Sequence, residues 1–253
     1  MSFLLPQLMV APNGARRSKA DHPRLPISIA ETVATASACF DAGAGALHAH
    51  IRNDDGSHSL DHGRYRELLR EMQREVPQMP VQITTESAGL FAPTVQRDLL
   101  CRLSPVAASV AIREMLSDGE LPSARHSYHA AAEAGTAIQH ILYDRDDIRL
   151  LRHSIDIGTI PSDALQALLV MGAYEGMRPA RPADLAPLLG FASDLLPESD
   201  IAICAFGSGE TVILRRMLAL GGKVRVGFEN NIHSMDGTPA PDNAARVTEI
   251  LGG

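Results

Sequence analysis

Short apolar stretches recur along the chain, and longer segments of mixed apolar and polar residues separate them. Each stretch has the length and the apolar content of a buried strand, and turn-forming residues bound the segments between them. This pattern predicts eight strands. They cover Leu8–Ala11, Ala46–Ile51, Val81–Thr85, Ala107–Ile112, Ala137–Tyr143, Ala164–Met171, Ile201–Phe206 and Val224–Phe228.

The segments between the strands carry helix signals, most clearly after the first strand. Ser28 is a good N-cap residue, and Glu31 three positions later completes a capping box. Apolar residues then recur on one helical face as far as Phe40, and Gly43 supplies a C-terminal stop. A helix is therefore predicted between the first two strands.

A strand followed by a helix, eight times over, is typical of parallel strands in one closed barrel. The chain has 253 residues, near the usual length of such a barrel. An open doubly wound sheet is the main alternative, but its fingerprint, GxGxxG after the first strand, is absent. The period alone does not exclude a solenoid, although the units share no repeat signature. We predict a (β/α)8 barrel of the α/β class, as a single domain over residues 1–253.

Composition and charge narrow the function classes. Lys and Arg number 23 against 30 Asp and Glu, so the net charge is −7 with no basic block, which disfavours nucleic-acid binding. Cys39, Cys101 and Cys204 are odd in number and far apart, which favours a reducing compartment, the cytoplasm. The N-terminal stretch has no basic region and contains Pro6, so it predicts a strand rather than a signal peptide. No apolar run is long enough to predict a membrane span.

Two histidines lie at the end of the predicted second strand, in ALHAHIRNDDG. His48 and His50 are two positions apart, so on a strand both side chains point to the same face. In a barrel the carboxyl ends of the strands carry the active site, and two neutral imidazoles suit zinc. A catalytic zinc takes a third protein ligand, and Glu229, at the end of the predicted eighth strand, is our candidate. Alternatively, both histidines are structural hydrogen-bonding residues.

Four longer segments have distinctive sequences. They read, in order, APNGARRSKADHPRLPIS, AGAGALHAHIRNDDGSHSLD, VQITTESAG and LALGGKVRVGFENNI. In these segments the chain resembles the β-keto acid cleavage enzyme family, whose named activity is 3-keto-5-aminohexanoate cleavage. The resemblance extends from about Val10 to Leu251 and is most specific over His48–Asp61 and Gly221–Asn231.

The resemblance implies a zinc-dependent (β/α)8 barrel that cleaves a β-keto acid with acetyl-CoA, giving acetoacetate and a new acyl-CoA. It also implies one zinc ion per chain and a homo-oligomer, with a tetramer expected. By position, the family's metal ligands fall on His48, His50 and Glu229. The arginine that family members use beside the metal falls on Arg225, four residues before Glu229 on the predicted strand. Positive charge there would stabilise a developing oxyanion, the role we favour for Arg225. The alternative is a salt bridge to Glu229 or to another barrel carboxylate.

Two departures from the family pattern affect charge and proton transfer. Arg16 stands where the family has an acidic residue that would hold a substrate ammonium group. An anionic or polar β-keto substrate is therefore expected, unless Arg16 simply points to solvent. Asn230 stands where an Asp usually follows the glutamate ligand, and an amide cannot act as a base. We assign Asn230 to the catalytic set, and this departure casts doubt on the standard reaction.

Two further departures alter the expected substrate pocket. The family's Ser-Thr-Gly-Gly segment after the third strand reads here as Thr84 through Ser87, with Glu86 in place of a glycine. After the fourth strand, Arg113 and Glu114 replace Gly followed by Ser or Thr. We assign Thr84, Glu86 and Glu114, together with Arg16, to substrate binding. The two glutamates could also be alternative bases, or ion-pair partners of Arg16 and Arg113.

Two motifs are less specific. FGSGET runs from the seventh strand into a helix, and its backbone N–H groups could hold a phosphate of coenzyme A, or its glycines could serve only the turn. His140, in the fifth strand, is expected to lie in the core or to support the metal ligands.

Three functional hypotheses remain. The first is a zinc-dependent acyltransferase that cleaves a β-keto acid. The second is a zinc hydrolase on a similar barrel. It ranks lower because such barrels carry His-x-His on the first strand, and His233 is the one late histidine that could be a ligand. The third is a metal-binding protein that has lost the standard chemistry, which Asn230 favours.

Overall fold

Eight parallel strands close into a barrel in the computed structural model, which describes residues 3–173 and 178–252. A short antiparallel hairpin, Ile51–Arg52 with His58–Ser59, follows the second barrel strand. The strands are β1 (Leu8–Val10), β2 (Ala46–Ala49), β3 (Ile51–Arg52), β4 (His58–Ser59), β5 (Val81–Thr84), β6 (Ala107–Ala111), β7 (Ala137–Leu142), β8 (Gln166–Met171), β9 (Asp200–Ala205) and β10 (Lys223–Val226).

The barrel closes between its first and last strands. Around the ring the order is β1, β2, β5, β6, β7, β8, β9 and β10, and β10 pairs back onto β1. Met9 of β1 is in register with Ala46 of β2 on one side and with Arg225 of β10 on the other. This topology confirms the predicted (β/α)8 barrel and excludes the open doubly wound sheet. A single domain over residues 1–253 stays a prediction.

Helices follow the barrel strands, and the predicted capping box is present. The Ser28 hydroxyl accepts a hydrogen bond from the Glu31 amide, and the Glu31 carboxylate accepts one from the Ser28 amide. The helices are α1 (Ile29–Asp41), α2 (His62–Glu75), α3 (Pro93–Leu103), α4 (Ile112–Met115), α5 (Leu121–Glu133), α6 (Arg145–Asp156), α7 (Leu185–Leu195), α8 (Glu210–Ala219) and α9 (Asn243–Leu251). Within the described ranges, none of them is long and apolar enough to cross a membrane.

Alternate residues of each strand face two different environments. In β2, Leu47 and Ala49 join the large apolar core that also contains helix residues such as Leu68 of α2. Ala46 belongs instead to a smaller cluster inside the barrel, with Met9 among its members. His48 is two positions from Ala46, so the period of a strand directs its side chain to the barrel interior.

The last strand is shorter than predicted, which corrects the placement of Glu229. β10 ends at Val226, so Glu229 lies in the turn that follows and not on the strand with Arg225. The chain leaves the strand at Gly227, whose φ is +145° and where a Cβ would lie 2.2 Å from the Ala11 carbonyl oxygen. Alternation along a strand therefore does not explain why Arg225 and Glu229 meet.

His140 is a buried core residue, as expected. Its imidazole packs against Tyr128 of α5, with ring centroids 5.6 Å apart, so it supports none of the candidate metal ligands. Burial lowers the pKa of His140 to about 3. In the unfolded chain a histidine titrates near pH 6.5. Below that pH the unfolded chain binds a proton at this residue that the folded protein does not bind, so acid favours unfolding.

His140→Gln should therefore flatten the acid side of the stability profile. As pH falls from about 6 to about 4, the unsubstituted protein should lose up to about 1.4 kcal/mol of unfolding free energy per pH unit through this residue. Urea unfolding at several pH values measures the slope. His153→Gln, which alters an exposed histidine, is the control. Equal slopes in the two variants would contradict the assignment.

Candidate active site

Three side chains meet at the carboxyl end of the barrel and offer one ligand atom each. His48 Nε2 lies 3.2 Å from His50 Nε2, and Glu229 Oε2 lies 3.4 Å from the first and 3.7 Å from the second. All three residues are buried, and this is the group able to hold a metal among the described residues. The structure thus brings together the three ligands predicted from the sequence.

The protonation state of His48 follows from its neighbours. The Gln82 side-chain amide donates to Gln139 Oε1 at 3.1 Å, which leaves Gln82 Oε1 to accept from His48 Nδ1 at 2.9 Å. With its proton on Nδ1, His48 presents a lone pair at Nε2, the atom that faces Glu229. Burial, together with the Arg225 charge, lowers the pKa of His48. Burial and the neighbouring His48 and His58 lower the pKa of His50, so both rings are neutral.

Glu229 divides its two oxygens between an arginine and the histidines. Arg225 Nη2 donates to Glu229 Oε1 at 3.0 Å, which is the salt bridge considered as an alternative role for Arg225. Glu229 Oε2 is buried without a hydrogen-bond partner among the described residues and faces the two imidazoles. Burial raises the pKa of this carboxyl, and Arg225 opposes the shift. A cation between Oε2 and the imidazoles would satisfy this buried oxygen.

The turn that carries Glu229 is fixed by its backbone. The Glu229 amide donates to the Ala11 carbonyl oxygen at 3.1 Å, just beyond β1. Asn243, the first residue of α9, accepts a hydrogen bond from the Phe228 amide and donates one to the Pro12 carbonyl oxygen. The two chain ends of the barrel therefore hold this glutamate in place together.

A cavity of about 460 Å³ opens above the three ligands. Its wall contains four cationic and four anionic side chains, so its charge is balanced although the whole chain is acidic. These are Arg16, Arg113, Arg178 and Arg225, and Glu86, Glu114, Asp144 and Glu229. All four residues assigned to substrate binding, Arg16, Thr84, Glu86 and Glu114, line this cavity.

Among the departures from the family pattern, Glu86 lies close to the candidate metal ligands. Its Oε2 is 3.6 Å from His50 Nε2. Burial, with the nearby charges of Glu229 and Glu114, raises the pKa of Glu86 to about 7, and Arg16 opposes this shift. A side chain of this kind alternates between an acceptor and a donor near neutral pH.

Thr84 and Glu114 are held by hydrogen bonds at the cavity wall. The Thr84 hydroxyl accepts from the Ser109 hydroxyl and from the Glu86 amide. Glu114 Oε2 accepts from the Ser87 amide at 2.8 Å and from the Gln96 side chain at 2.9 Å. The Glu114 carboxylate is therefore anchored by donors on α3 and on the loop before it.

The remaining assigned residues have different surroundings. Arg16 has an exposed side chain that lines the cavity from its rim. Arg113 pairs with Asp144 at 2.5 Å and Asp147 at 2.7 Å, rather than with either glutamate. The Asn230 side chain is buried, has no hydrogen-bond partner in the described part of the chain, and is not part of the cavity wall.

The FGSGET turn has a structural use for at least one glycine. A Cβ on Gly209 would lie 2.1 Å from the Ala180 carbonyl oxygen, so only glycine fits there without displacing backbone. The turn forms a short 3-10 helix, Gly207–Gly209, ahead of α8. This close contact favours the interpretation that the glycine serves packing of the turn.

Sequence reasoning missed two residues that support the ligands. Gln82 orients His48, and Asn243 anchors the Glu229 turn. Gln82 left a signal, because it is a polar residue within an apolar strand, opposite His48 in the register of β2 and β5. Asn243 had no sequence signal beyond its position at the start of a helix.

Comparison with known proteins gives consistent matches over nearly the whole chain. The sequence profile of the beta-keto acid cleavage enzyme family matches residues 7–252. The 3-oxoadipate:acetyl-CoA acetyltransferase of Cupriavidus necator is 28% identical over 249 residues, which cover 96% of this chain and 86% of that protein. The 3-keto-5-aminohexanoate cleavage enzyme of Acetoanaerobium sticklandii is 25% identical over 244 residues, which cover 94% of this chain and 87% of that protein.

Solved structures with similar folds are more distant in sequence. The apo structure of ObcA is 13% identical with a TM-score of 0.67, and the match covers 90% of this chain but 61% of that one. A type I 3-dehydroquinate dehydratase from Clostridium difficile is 12% identical with a TM-score of 0.63, and the match covers 98% of this chain and 92% of that one. At these identities the likeness supports the barrel fold alone.

Proposed function

Because this chain belongs to the beta-keto acid cleavage enzyme family, we propose that it breaks the C2–C3 bond of a β-keto acid with acetyl-CoA and a bound zinc ion. C2 of the keto acid, with its carboxylate, joins the acetyl group to give acetoacetate. The acyl group that begins at C3 passes to the sulfur of coenzyme A. The observation that carries this proposal is the cluster of His48, His50 and Glu229, of which His48 and Glu229 line the cavity.

The donor set fits a zinc ion. Three corners of a tetrahedron with bonds of about 2.0–2.1 Å lie about 3.4 Å apart. The three ligand atoms are already 3.2, 3.4 and 3.7 Å from one another. Two neutral imidazoles and a carboxylate with an unpartnered oxygen also suit iron, manganese or nickel, so zinc is the proposed choice within this group.

The bound metal would supply Lewis-acid stabilisation of negative charge on the oxygens of the keto acid. Arg225 supports the same charge, because its Nε and Nη1 are buried without a partner among the described residues. Two preorganised N–H groups can therefore donate to an anionic oxygen of the substrate. Asn230 cannot take a proton, so Glu86, beside His50, is the cavity residue we assign to proton transfer.

We further propose that the substrate carries a second carboxylate. Arg16, at the cavity rim, is the residue that would face the far end of a bound keto acid. The similarity to 3-oxoadipate:acetyl-CoA acetyltransferase, named for a dicarboxylic keto acid, supports this choice.

Acetoacetate formation from a panel of keto acids tests both proposals. With zinc and acetyl-CoA present, 3-oxoadipate should be preferred over 3-keto-5-aminohexanoate and over 3-oxohexanoate, whose chain beyond the keto group is uncharged. Arg16→Glu should lower kcat/KM for 3-oxoadipate by about 30-fold, because it opposes the second carboxylate with a like charge. Arg24→Glu makes the same charge change at an exposed site outside the cavity wall and is the control.

Three outcomes would contradict these proposals. A reaction that proceeds without acetyl-CoA would indicate hydrolysis. A preference that survives Arg16→Glu would exclude the role of Arg16. A zinc-loaded protein that forms no acetoacetate from any keto acid would favour a metal-binding protein without the standard chemistry, for which the buried Asn230 amide is the specific observation.

A further inference from the structure

A second cavity of about 640 Å³ adjoins the candidate active site. The two cavities share four lining residues: Tyr143 just after β7, Val170 and Gly172 at the end of β8, and Arg178. A long molecule with its reactive end above the metal ligands could therefore extend into the second cavity. No role for this cavity follows from the cleavage of the keto acid alone.

The second cavity is cationic, although the chain carries a net charge of −7. Arg145, Arg178 and Arg181 line it, against a single acidic residue, Asp184. Asp184 accepts two hydrogen bonds from Arg181, each 2.9 Å long. Arg145 and Arg178 form no salt bridge within residues 3–173 and 178–252. The pKa of Asp184 is lowered mainly by Arg181 and to a lesser extent by the charge of Arg178, so the lining keeps an excess of positive charge.

The Arg145 guanidinium is held in place by an aromatic ring. Its central carbon lies 4.9 Å from the centroid of Phe191 on α7. Arg149, one turn later on α6, stacks on the same ring at 5.1 Å, but it pairs with Asp146 and does not line the cavity. The two arginines thus share one environment and differ in access to the cavity.

The rest of the wall is apolar and firmly built. Met171, Ala180 and Leu188 contribute to it. The Ala180 amide donates to the Phe206 carbonyl oxygen at 2.9 Å, which ties this wall to the end of β9. Apolar surface beside guanidinium groups suits a ligand that joins an apolar arm to phosphates.

We propose that this second cavity binds the phosphate-bearing part of acetyl-CoA, with Arg145 and Arg178 as the phosphate ligands and the pantetheine arm leading past Tyr143 to the metal ligands. The inference rests on the proposed function, since it takes acetyl-CoA as the second substrate. The bidentate geometry of arginine matches phosphate oxygens, and the apolar wall covers the uncharged arm.

Steady-state kinetics of the zinc-loaded protein tests the assignment. Arg145→Ala and Arg178→Ala should each raise KM for acetyl-CoA about fivefold, the modest effect expected of an exposed charged contact. Arg149→Ala removes an arginine from the same aromatic ring and should leave this KM unchanged. With S-acetylpantetheine, which lacks the phosphates, Arg145→Ala and the unsubstituted protein should have equal KM values.

Direct binding separates this inference from the proposed function. Isothermal titration with coenzyme A should show weaker binding to Arg145→Ala than to Arg149→Ala, and adenosine 3′,5′-bisphosphate should compete. If acetoacetate forms but the two variants bind coenzyme A equally, the cavity assignment is wrong and the function stands. If no keto acid is cleaved but coenzyme A binding still depends on Arg145, the function is wrong and the cavity assignment stands.

Discussion

Replacing His48 and His50 together by alanine should release the zinc and reduce acetoacetate formation roughly a thousandfold, the loss expected when a Lewis acid contributes several kcal/mol. Both imidazoles are buried and neutral, and their Nε2 atoms lie 3.2 Å apart beside Glu229 Oε2. Alanine removes two of three ligands and leaves a carboxylate that cannot hold the ion alone. Metal analysis of the purified protein and the coupled activity assay are the measurements.

A matched double variant separates this effect from a general loss of histidines. His126→Ala with His153→Ala removes two exposed histidines and should retain both zinc and activity. Circular dichroism of each variant checks that the barrel has formed. One zinc per chain in the His48/His50 variant, or no zinc in the unsubstituted protein after reconstitution, would disprove the proposed site.

Gly227→Ala should destabilise the protein by roughly 3 kcal/mol or more, since backbone strain and overpacking each contribute about 1–3 kcal/mol. The φ of +145° is disfavoured for alanine, and the new Cβ would lie 2.2 Å from the Ala11 carbonyl oxygen. Backbone atoms of β1 and β10 cannot move apart without opening the barrel. Because Glu229 is two residues further on, zinc affinity should fall as well.

Gly237→Ala is the control for this prediction. Its φ is +85°, but a Cβ there would meet no atom within 4 Å, so it adds strain without a clash. Urea unfolding should rank the unsubstituted protein first, Gly237→Ala second and Gly227→Ala last. Equal unfolding midpoints for the two variants would mean that the clash with Ala11 does not lower the free energy of unfolding.

The fold could be predicted from local pattern, whereas Glu229 as the third candidate metal ligand also required the barrel arrangement and the resemblance to the family. All eight barrel strands lie within about two residues of their predicted positions, because a strand buried on both faces leaves a continuous apolar run. The Ser28 capping box is likewise a local signal, and it is present. The β3–β4 hairpin was missed, since each strand has two residues and no apolar run.

The contacts that orient the ligands could not be predicted, because they join residues distant in the chain. The Gln82 partner of His48 is 34 positions away, and nothing local to either residue specifies the pair. Glu229 was expected on a strand, whereas Gly227 ends β10 and a turn delivers the carboxylate to Arg225 and the histidines. Asn230 was grouped with Arg225 by its position in the sequence, yet its side chain lies outside the cavity wall.

The candidate metal ligands approach from both sides of β1, the strand at which the ring closes. His48 and His50 come from the end of β2, and Glu229 comes from the turn after β10, so the complete set exists only once the last strand has docked. An ion bound there would link the end of β2 to the turn after β10. It would stabilise the closed barrel, because the unfolded chain lacks the assembled site. Metal loading would then be a late event in biogenesis, and detachment of the final strand would be the route by which the ion escapes.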